Sequence, residues 1–268
     1  MSDNQERVTL TIDKHVGIVK FNRPDKMNAL DIEQRDAIIK VGQAVEQNPA
    51  IRAVVLTGEG RAFCAGIDVA SAFASADASV GTLQDRTHGI ANDWQQLAWQ
   101  WHVMQVPVIA AVHGYAYGGG LQIMMGADIR IVAPDTKLSI LEMKWGLIPD
   151  MAGTQLFRHS IRDDVLRLLT YTHRVFSGEE ALQYGFATQV SETPFEDALA
   201  LATEIASKSP STVVQAKKVL NAAPYADPAE GLLLESVLQD TLIGSKNQME
   251  SVFAGIQKRP GNFDNYRE

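Results

Sequence analysis

Two carboxylates stand inside an otherwise apolar run: Glu142 and Asp150, in Leu138-Ser139-Ile140-Leu141-Glu142-Met143-Lys144-Trp145-Gly146-Leu147-Ile148-Pro149-Asp150. Apolar surroundings disfavour the charged form, so a carboxylate placed there has its pKa raised, which suits an acid or a base near neutral pH. A plainer reading is favoured on these residues alone: Glu142 pairs with Lys144, and Asp150 caps a helix beginning near Ala152. Two glycine-bearing turns upstream carry the other chemistry. Gly60-Arg61-Ala62-Phe63-Cys64-Ala65-Gly66-Ile67-Asp68 follows one apolar run, and His113-Gly114-Tyr115-Ala116-Tyr117-Gly118-Gly119-Gly120 follows another. Glycines at a helix start let a ligand approach the backbone and leave N–H groups aimed at it. Two such groups from neighbouring strand ends make an oxyanion hole without any special side chain. With equal weight, the same glycines serve only tight turns and helix–sheet packing.

Other chemistries find little support. Gly114-x-x-x-Gly118-Gly119-Gly120 is not the dinucleotide fingerprint, and no G-x-x-x-x-G-K-[ST] phosphate loop occurs. There is no G-x-S-x-G elbow and no H-E-x-x-H metal helix. The single cysteine, Cys64, excludes an intrachain disulfide and argues against a cysteine zinc site; it is expected to pack as a small buried group. The 268 residues carry 24 Lys+Arg against 32 Asp+Glu, a net charge of −8. Neither nucleic acid nor an anionic membrane is therefore expected as the main partner. The first ten residues lack a basic-then-apolar pattern, and the longest apolar stretch, 106–112, is too short to span a bilayer. A cytoplasmic protein is expected.

The elements that must position these residues are read from periodicity. Strands are expected at 8–10 and 17–21 around a turn at 13–15, and again at 53–57, 108–112 and 129–133. A helix capped by Asp31 runs to about Gln47, burying Ile32, Ile38, Ile39, Val41 and Val45, and Pro49 stops it. Further helices are expected at 83–104 and 121–126, with a mobile loop at 70–80. After Ser177 the pattern turns helical, at 178–184, 195–207, 210–221 and 228–257. Alternating strands and helices between 50 and 150 predict an α/β core, followed by a helical C-terminal region.

Phe21-Asn22-Arg23-Pro24-Asp25-Lys26-Met27-Asn28-Ala29-Leu30, Ala62-Phe63-Cys64-Ala65-Gly66-Ile67-Asp68 and Val108-Ile109-Ala110-Ala111-Val112-His113-Gly114 through Gly120 resemble the enoyl-CoA hydratase/isomerase (crotonase) family. Residues 142–154, then Phe176-Ser177-Gly178-Glu179-Glu180-Ala181 and Tyr184-Gly185-Phe186-Ala187, continue the likeness over about residues 8–265. The resemblance implies a spiral of repeated ββα units over 1–195. It also implies a helical trimerisation region over 196–268, and hence a homotrimer or a homohexamer. It implies acyl-CoA thioester substrates, with coenzyme A part of the substrate and neither a metal nor a further cofactor. The thioester oxygen would be held by the backbone N–H groups of Ile67 and Gly119. Ala65 and Asp68 would lie beside CoA, as would Lys26 and, from a neighbouring subunit, Lys258. A turn aspartate more often satisfies nearby N–H groups, and exposed lysines are usually just solvated.

Hydratases of this family carry one glutamate two residues after the triple glycine and a second at the Glu142 position. Here the first is Gln122, counted with the substrate-binding residues, and an amide cannot trade a proton as a carboxylate does. A Glu followed eight residues later by Asp resembles the family's dienoyl-CoA isomerases, although those usually carry aspartate at position 122. The implied activity is double-bond isomerisation, with Glu142 working at C2 and Asp150 at a distal carbon, or Glu142 alone shifting a 3-enoyl to a 2-enoyl chain. Hydration of 2-enoyl-CoA and acyl-CoA binding without catalysis are the alternatives. Residues 70–104 would wall the acyl pocket, where Trp94, Trp99 and Trp101 would either line it or, more in keeping with their helical spacing, join the core or a subunit interface.

Overall fold

Apolar runs without polar alternation must be covered on both faces, and the stretches around 53–58 and 108–112 impose that demand on this chain. A computed structural model describes residues 6–69, 71 and 82–266. Strands β1 (Val8–Asp13) and β2 (Val16–Phe21) form an antiparallel hairpin. Next to β2 come β3 (Ala53–Gly58) and β4 (Val108–Val112), parallel to it. The chain then leaves this sheet for β5 (Tyr115–Tyr117) and returns for β6 (Ile129–Val132). It leaves again for β7 (Lys137–Ser139) and β8 (Phe176–Ser177), and returns for β9 (Gln189–Val190). A six-stranded sheet of order β1-β2-β3-β4-β6-β9 and a small one of order β5-β7-β8 result, joined by a chain that winds as a spiral.

Ten α-helices are found among the described residues. Helix α1 (Ile32–Gln47) is capped by Asp31, whose side chain accepts from the Gln34 N–H. Ile38, Ile39 and Val45 are buried as expected, but Ile32 in the first turn is exposed, and Gln34 and Gly42 take interior positions. Helix α2 (Asp93–Val103) is about half the length expected, because Asn92 and Gln95 form a reciprocal capping box that starts it late. Helix α3 (Gly119–Met125) begins at the glycine run itself, two residues before the expected start. Then come α4 (Gly153–Phe157), α5 (Asp163–Thr172), α6 (Gly178–Tyr184), α7 (Pro194–Ala206) and α8 (Pro210–Ala222). The segment 228–257, expected as one helix, is α9 (Pro228–Leu242) and α10 (Lys246–Gln257). Gly244, at φ +76°, separates the two, and Ser245 caps α10. Strands β5, β7, β8 and β9, each of two or three residues, are too short for a period to show, and neither they nor helix α5 had a counterpart among the expected elements.

Alternate residues of the central strands feed two apolar layers. Val54, Leu56, Ala110 and Val112 join the main core with Phe63, Trp101 and Leu121. Val55, Ile109 and Ala111 face the other way, against Ala198, Ala202 and Ala206 of α7. The boundary drawn at 195/196 thus falls in the first turn of a helix whose alanine face belongs to the core. The loop expected at 70–80 lies, Ser71 apart, outside the described residues. Among the described residues no helix is long and apolar enough to cross a membrane.

Candidate active site

The 64–68 turn is bonded on both sides. Cys64 donates to the Tyr115 carbonyl at 3.0 Å, and Tyr117 donates to the Cys64 carbonyl at 3.1 Å, which ties the turn to β5. On its other flank Leu30 donates to the Gly66 carbonyl at 2.8 Å, and Asp68 donates to the Leu30 carbonyl at 2.9 Å. Ile67 is held between these bonds, and its own N–H has no acceptor among the described residues; nor has that of Gly119, the first residue of α3. The two backbones nearly touch. A methyl placed on Gly66, at φ +84°, would lie 2.6 Å from the Tyr117 carbonyl oxygen and 3.6 Å from the Gly119 nitrogen. Gly118, at φ +49°, makes the turn into α3, and a methyl there would lie 3.2 Å from Glu142 Oε1.

These pieces line a cavity of about 320 Å³. Among the described residues Ala65, Ile67, Gly119 and Glu142 contribute to it, with Val69, Tyr117, Leu141, Trp145 and Leu147 supplying largely apolar wall. Glu142 opens a 3-10 turn, Glu142–Trp145, just after β7. It does not pair with Lys144, whose ammonium lies over the Trp145 ring. Instead Glu142 Oε1 accepts from Gln122 Nε2 at 2.6 Å, while Glu142 Oε2 is buried without a partner. Burial pushes the Glu142 carboxyl above the ordinary carboxylate range and the nearby Asp150 charge adds to this, against the opposing pull of the Glu142 and Leu141 backbone and of the Gln122 bond.

Asp150 does not line the cavity and is exposed, yet enough protein crowds its carboxyl to raise it as well. Nor does it cap α4. The N–H groups of Met151 and Gly153 at that helix start both donate to Gln122 Oε1, each at 2.9 Å. Gln122, 1% exposed, is therefore enclosed beneath the site, acting on Glu142 and the 151–153 backbone rather than meeting the cavity.

Asp68 is committed to the protein. It pairs with Arg23 at 3.0 Å and accepts from the Ser71 N–H. Burial alone would raise its carboxyl, but the Ser71 bonds and Arg23 hold it below the usual range. Lys26 and Lys258 are exposed and lie outside the cavity lining. Of the tryptophans, Trp101 is core, Trp94 packs on the core under the Arg35 guanidinium, and Trp99 stacks beside His102; none lines this cavity. Tyr117, Trp145 and Leu147 do, and the sequence signal for them was their position directly beside the glycine run and the first carboxylate. Burial pushes the Cys64 thiol up to about 12, consistent with a packing role. Two free N–H donors beside a buried carboxylate oxygen can hold an oxyanion and move a proton next to it.

The sequence profile described as enoyl-CoA hydratase/isomerase matches residues 11–266. A Mycobacterium bovis protein named "Probable enoyl-CoA hydratase echA8" is 32% identical over 260 residues, covering 96% of this chain and 98% of that one. The (E)-benzylidenesuccinyl-CoA hydratase of Thauera aromatica is 31% identical over 259 residues, with 96% and 98% covered. A crystal structure of an enoyl-CoA hydratase from Bacillus anthracis superposes with a TM-score of 0.85 at 28% identity, covering 96% of this chain and 98% of that one.

Proposed function

The chain belongs to the enoyl-CoA hydratase/isomerase family and has the crotonase fold, and on that footing we propose that it isomerises a double bond in an acyl-CoA thioester. The Ile67 and Gly119 N–H groups receive the thioester oxygen. Glu142 Oε2 takes a proton from C2, and the electron pair of that C–H bond moves onto the thioester oxygen as a dienolate. The proton returns at C4, leaving the double bond between C2 and C3, so no atom is gained or lost. With a 3,5-dienoyl chain we assign Asp150, in its protonated form, to deliver a proton at C6; Glu142 keeps the proton from C2, and exchange with solvent restores both carboxyls.

One observation carries this reading. Glu142 offers a single unpartnered oxygen beside the glycine run, while the second position from which a carboxylate could hold water is filled by Gln122, whose side-chain bonds all go to the protein. One base with no second carboxylate at position 122 to hold water suits a proton shift better than the addition of water.

The test uses two substrates. Glu142→Gln should abolish turnover of 3-hexenoyl-CoA and of a 3,5-dienoyl-CoA, with acyl-CoA binding retained by calorimetry. Asp150→Asn should lose the growth of 2,4-dienoyl absorbance and keep the 3-enoyl reaction. Loss of both reactions in Asp150→Asn would remove its assignment to the distal carbon. Hydration is the second reading, favoured by the names of the relatives, which are hydratases. Loss of 2-enoyl-CoA absorbance in the wild type, with no isomerisation, would replace the first reading by the second.

A further inference from the structure

We propose that Gln122 is a positioning residue: its side-chain amide clasps Glu142 to the 151–153 backbone and leaves the base with one oxygen free in one orientation. This rests on Glu142 being the base, as proposed for the isomerisation. The groups around Gln122 make opposite demands at its two ends. At one end the N–H groups of Met151 and Gly153 need an acceptor; at the other, Glu142 Oε1 needs a donor. A primary amide supplies both, an alkyl side chain supplies neither, and an ionised carboxylate supplies only the first.

The fit is close. A methyl on Gly153 would lie 2.5 Å from Gln122 Oε1, and every residue of α3 is buried, so the amide has no solvent to swing into. Ala152, between the two donors, sits at φ +66°, a backbone conformation that costs a non-glycine residue energy and needs holding. No side chain on α4 caps its own start, so Gln122 Oε1 fills that place from another element. The ionisable groups facing Glu142 are Asp150 on the same loop and Tyr117 across the cavity, and neither hydrogen-bonds it among the described residues.

A carboxylic acid at 122 can imitate the amide only while it keeps its proton, donating to Glu142 and accepting from the two N–H groups. Two carboxyls this close then share one proton, and losing it places like charges in contact. Three forms of the enzyme, assayed on 3-hexenoyl-CoA across pH, test this. The wild-type rate should rise out of acid and hold a plateau. Gln122→Glu should turn the profile into a bell, falling on the alkaline side by about 10-fold or more as the shared proton leaves. Gln122→Met, which keeps the volume and drops both polar ends, should lower kcat by about 100-fold at every pH with little change in KM.

A Gln122→Glu profile of wild-type shape, a Gln122→Met enzyme with wild-type kcat, or a Gln122→Glu enzyme that gains 2-enoyl hydration with no alkaline fall each overturns the clasp. Titration of the Glu142 carboxyl by NMR of carbon-labelled glutamate, assigned with Glu142→Gln, reports without turnover. An upward move in Gln122→Glu supports the clasp, and an unmoved titration overturns it. Full activity in Glu142→Gln would instead remove the base assignment, leaving the NMR result to judge the contact by itself.

Discussion

Glu142 binds its proton more tightly in the folded chain than in the unfolded one, because burial outweighs the backbone and Gln122 hydrogen bonds. Between the unfolded and folded pKa values the folded state therefore holds more protons, so stability falls as pH rises through that window and stays lower above it. Glu142→Gln should then stabilise the protein by about 1 kcal/mol at mildly alkaline pH. The gain should fade in acid below the ordinary carboxylate range, where both states are protonated. Thermal unfolding at the two pH values measures this, and a gain that is equal in both would sink the ionisation argument. As the base of the proposed reaction, the same raised group would set the activity profile. kcat/KM should climb with pH through an acid limb lying above the ordinary glutamate value of about 4.3. Asp150 has the same direction of shift but meets solvent, and Asp150→Asn should move stability less.

The elements that present the two N–H donors are too short to hold themselves. The 64–68 turn is fixed by a bridge to β5 on one side and by Leu30 on the other. Arg23 reinforces that second contact. Its guanidinium pairs with Asp68 and with Asp31, each at 3.0 Å, and donates to the Ala29 carbonyl at 3.0 Å. Asp31 is in turn the cap of α1, so one half-buried cation ties a helix start to the residue after Ile67. Partly enclosed Arg–carboxylate pairs of this kind hold geometry through directed donors, which lysine does not reproduce. Arg23→Gln should cut kcat by about 10-fold to 100-fold, with a smaller change in KM, because the donor is misplaced rather than removed. Steady-state kinetics on the isomerisation substrate separates the two effects, and a pure KM change would make Arg23 a substrate contact instead. Arg23→Lys should recover little.

At the scale of the molecule, α8 is fastened to the core by a buried cation. Lys217, 6% exposed, donates to the Trp101 and Val106 carbonyls and pairs with Asp128 at 2.7 Å. Beyond it the chain leaves apolar surface uncovered: Leu232, Leu233 and Val237 on α9, and Phe253 and Ile256 on α10, are exposed in the single chain. Large apolar groups left exposed on two successive helices are candidates for a surface that meets something other than water. The family resemblance implies that copies of this chain cover it, as a homotrimer or a pair of trimers. Lys258, at the end of α10, would then be offered to a neighbouring copy's CoA phosphate. Light scattering should give three or six times the 29.3 kDa chain mass. A chain-sized mass would reject the assembly, and Leu233→Glu should shift an assembled form toward smaller species.

The sequence alone determined the α/β class, the two glycine turns and Glu142, because strand period, glycine placement and a carboxylate among apolar residues are all local patterns. The family likeness was legible for the same reason: its motifs are short runs of adjacent residues. Asp31 as a helix cap was equally readable, since a cap and its N–H partner lie within one turn. What the local pattern could not decide was which distant group answers each polar atom. Glu142 has Lys144 two residues away and takes Gln122 from twenty residues back; Asp150 stands where a cap belongs, and the acceptor comes from α3. Asp68 turns to Arg23, and the cavity wall comes from β5 and the 3-10 turn after β7 rather than from the tryptophans of α2. Those choices depend on how the spiral stacks its turns, because a buried polar atom bonds whatever packing brings within about 3 Å, and packing is set by residues far apart in the chain.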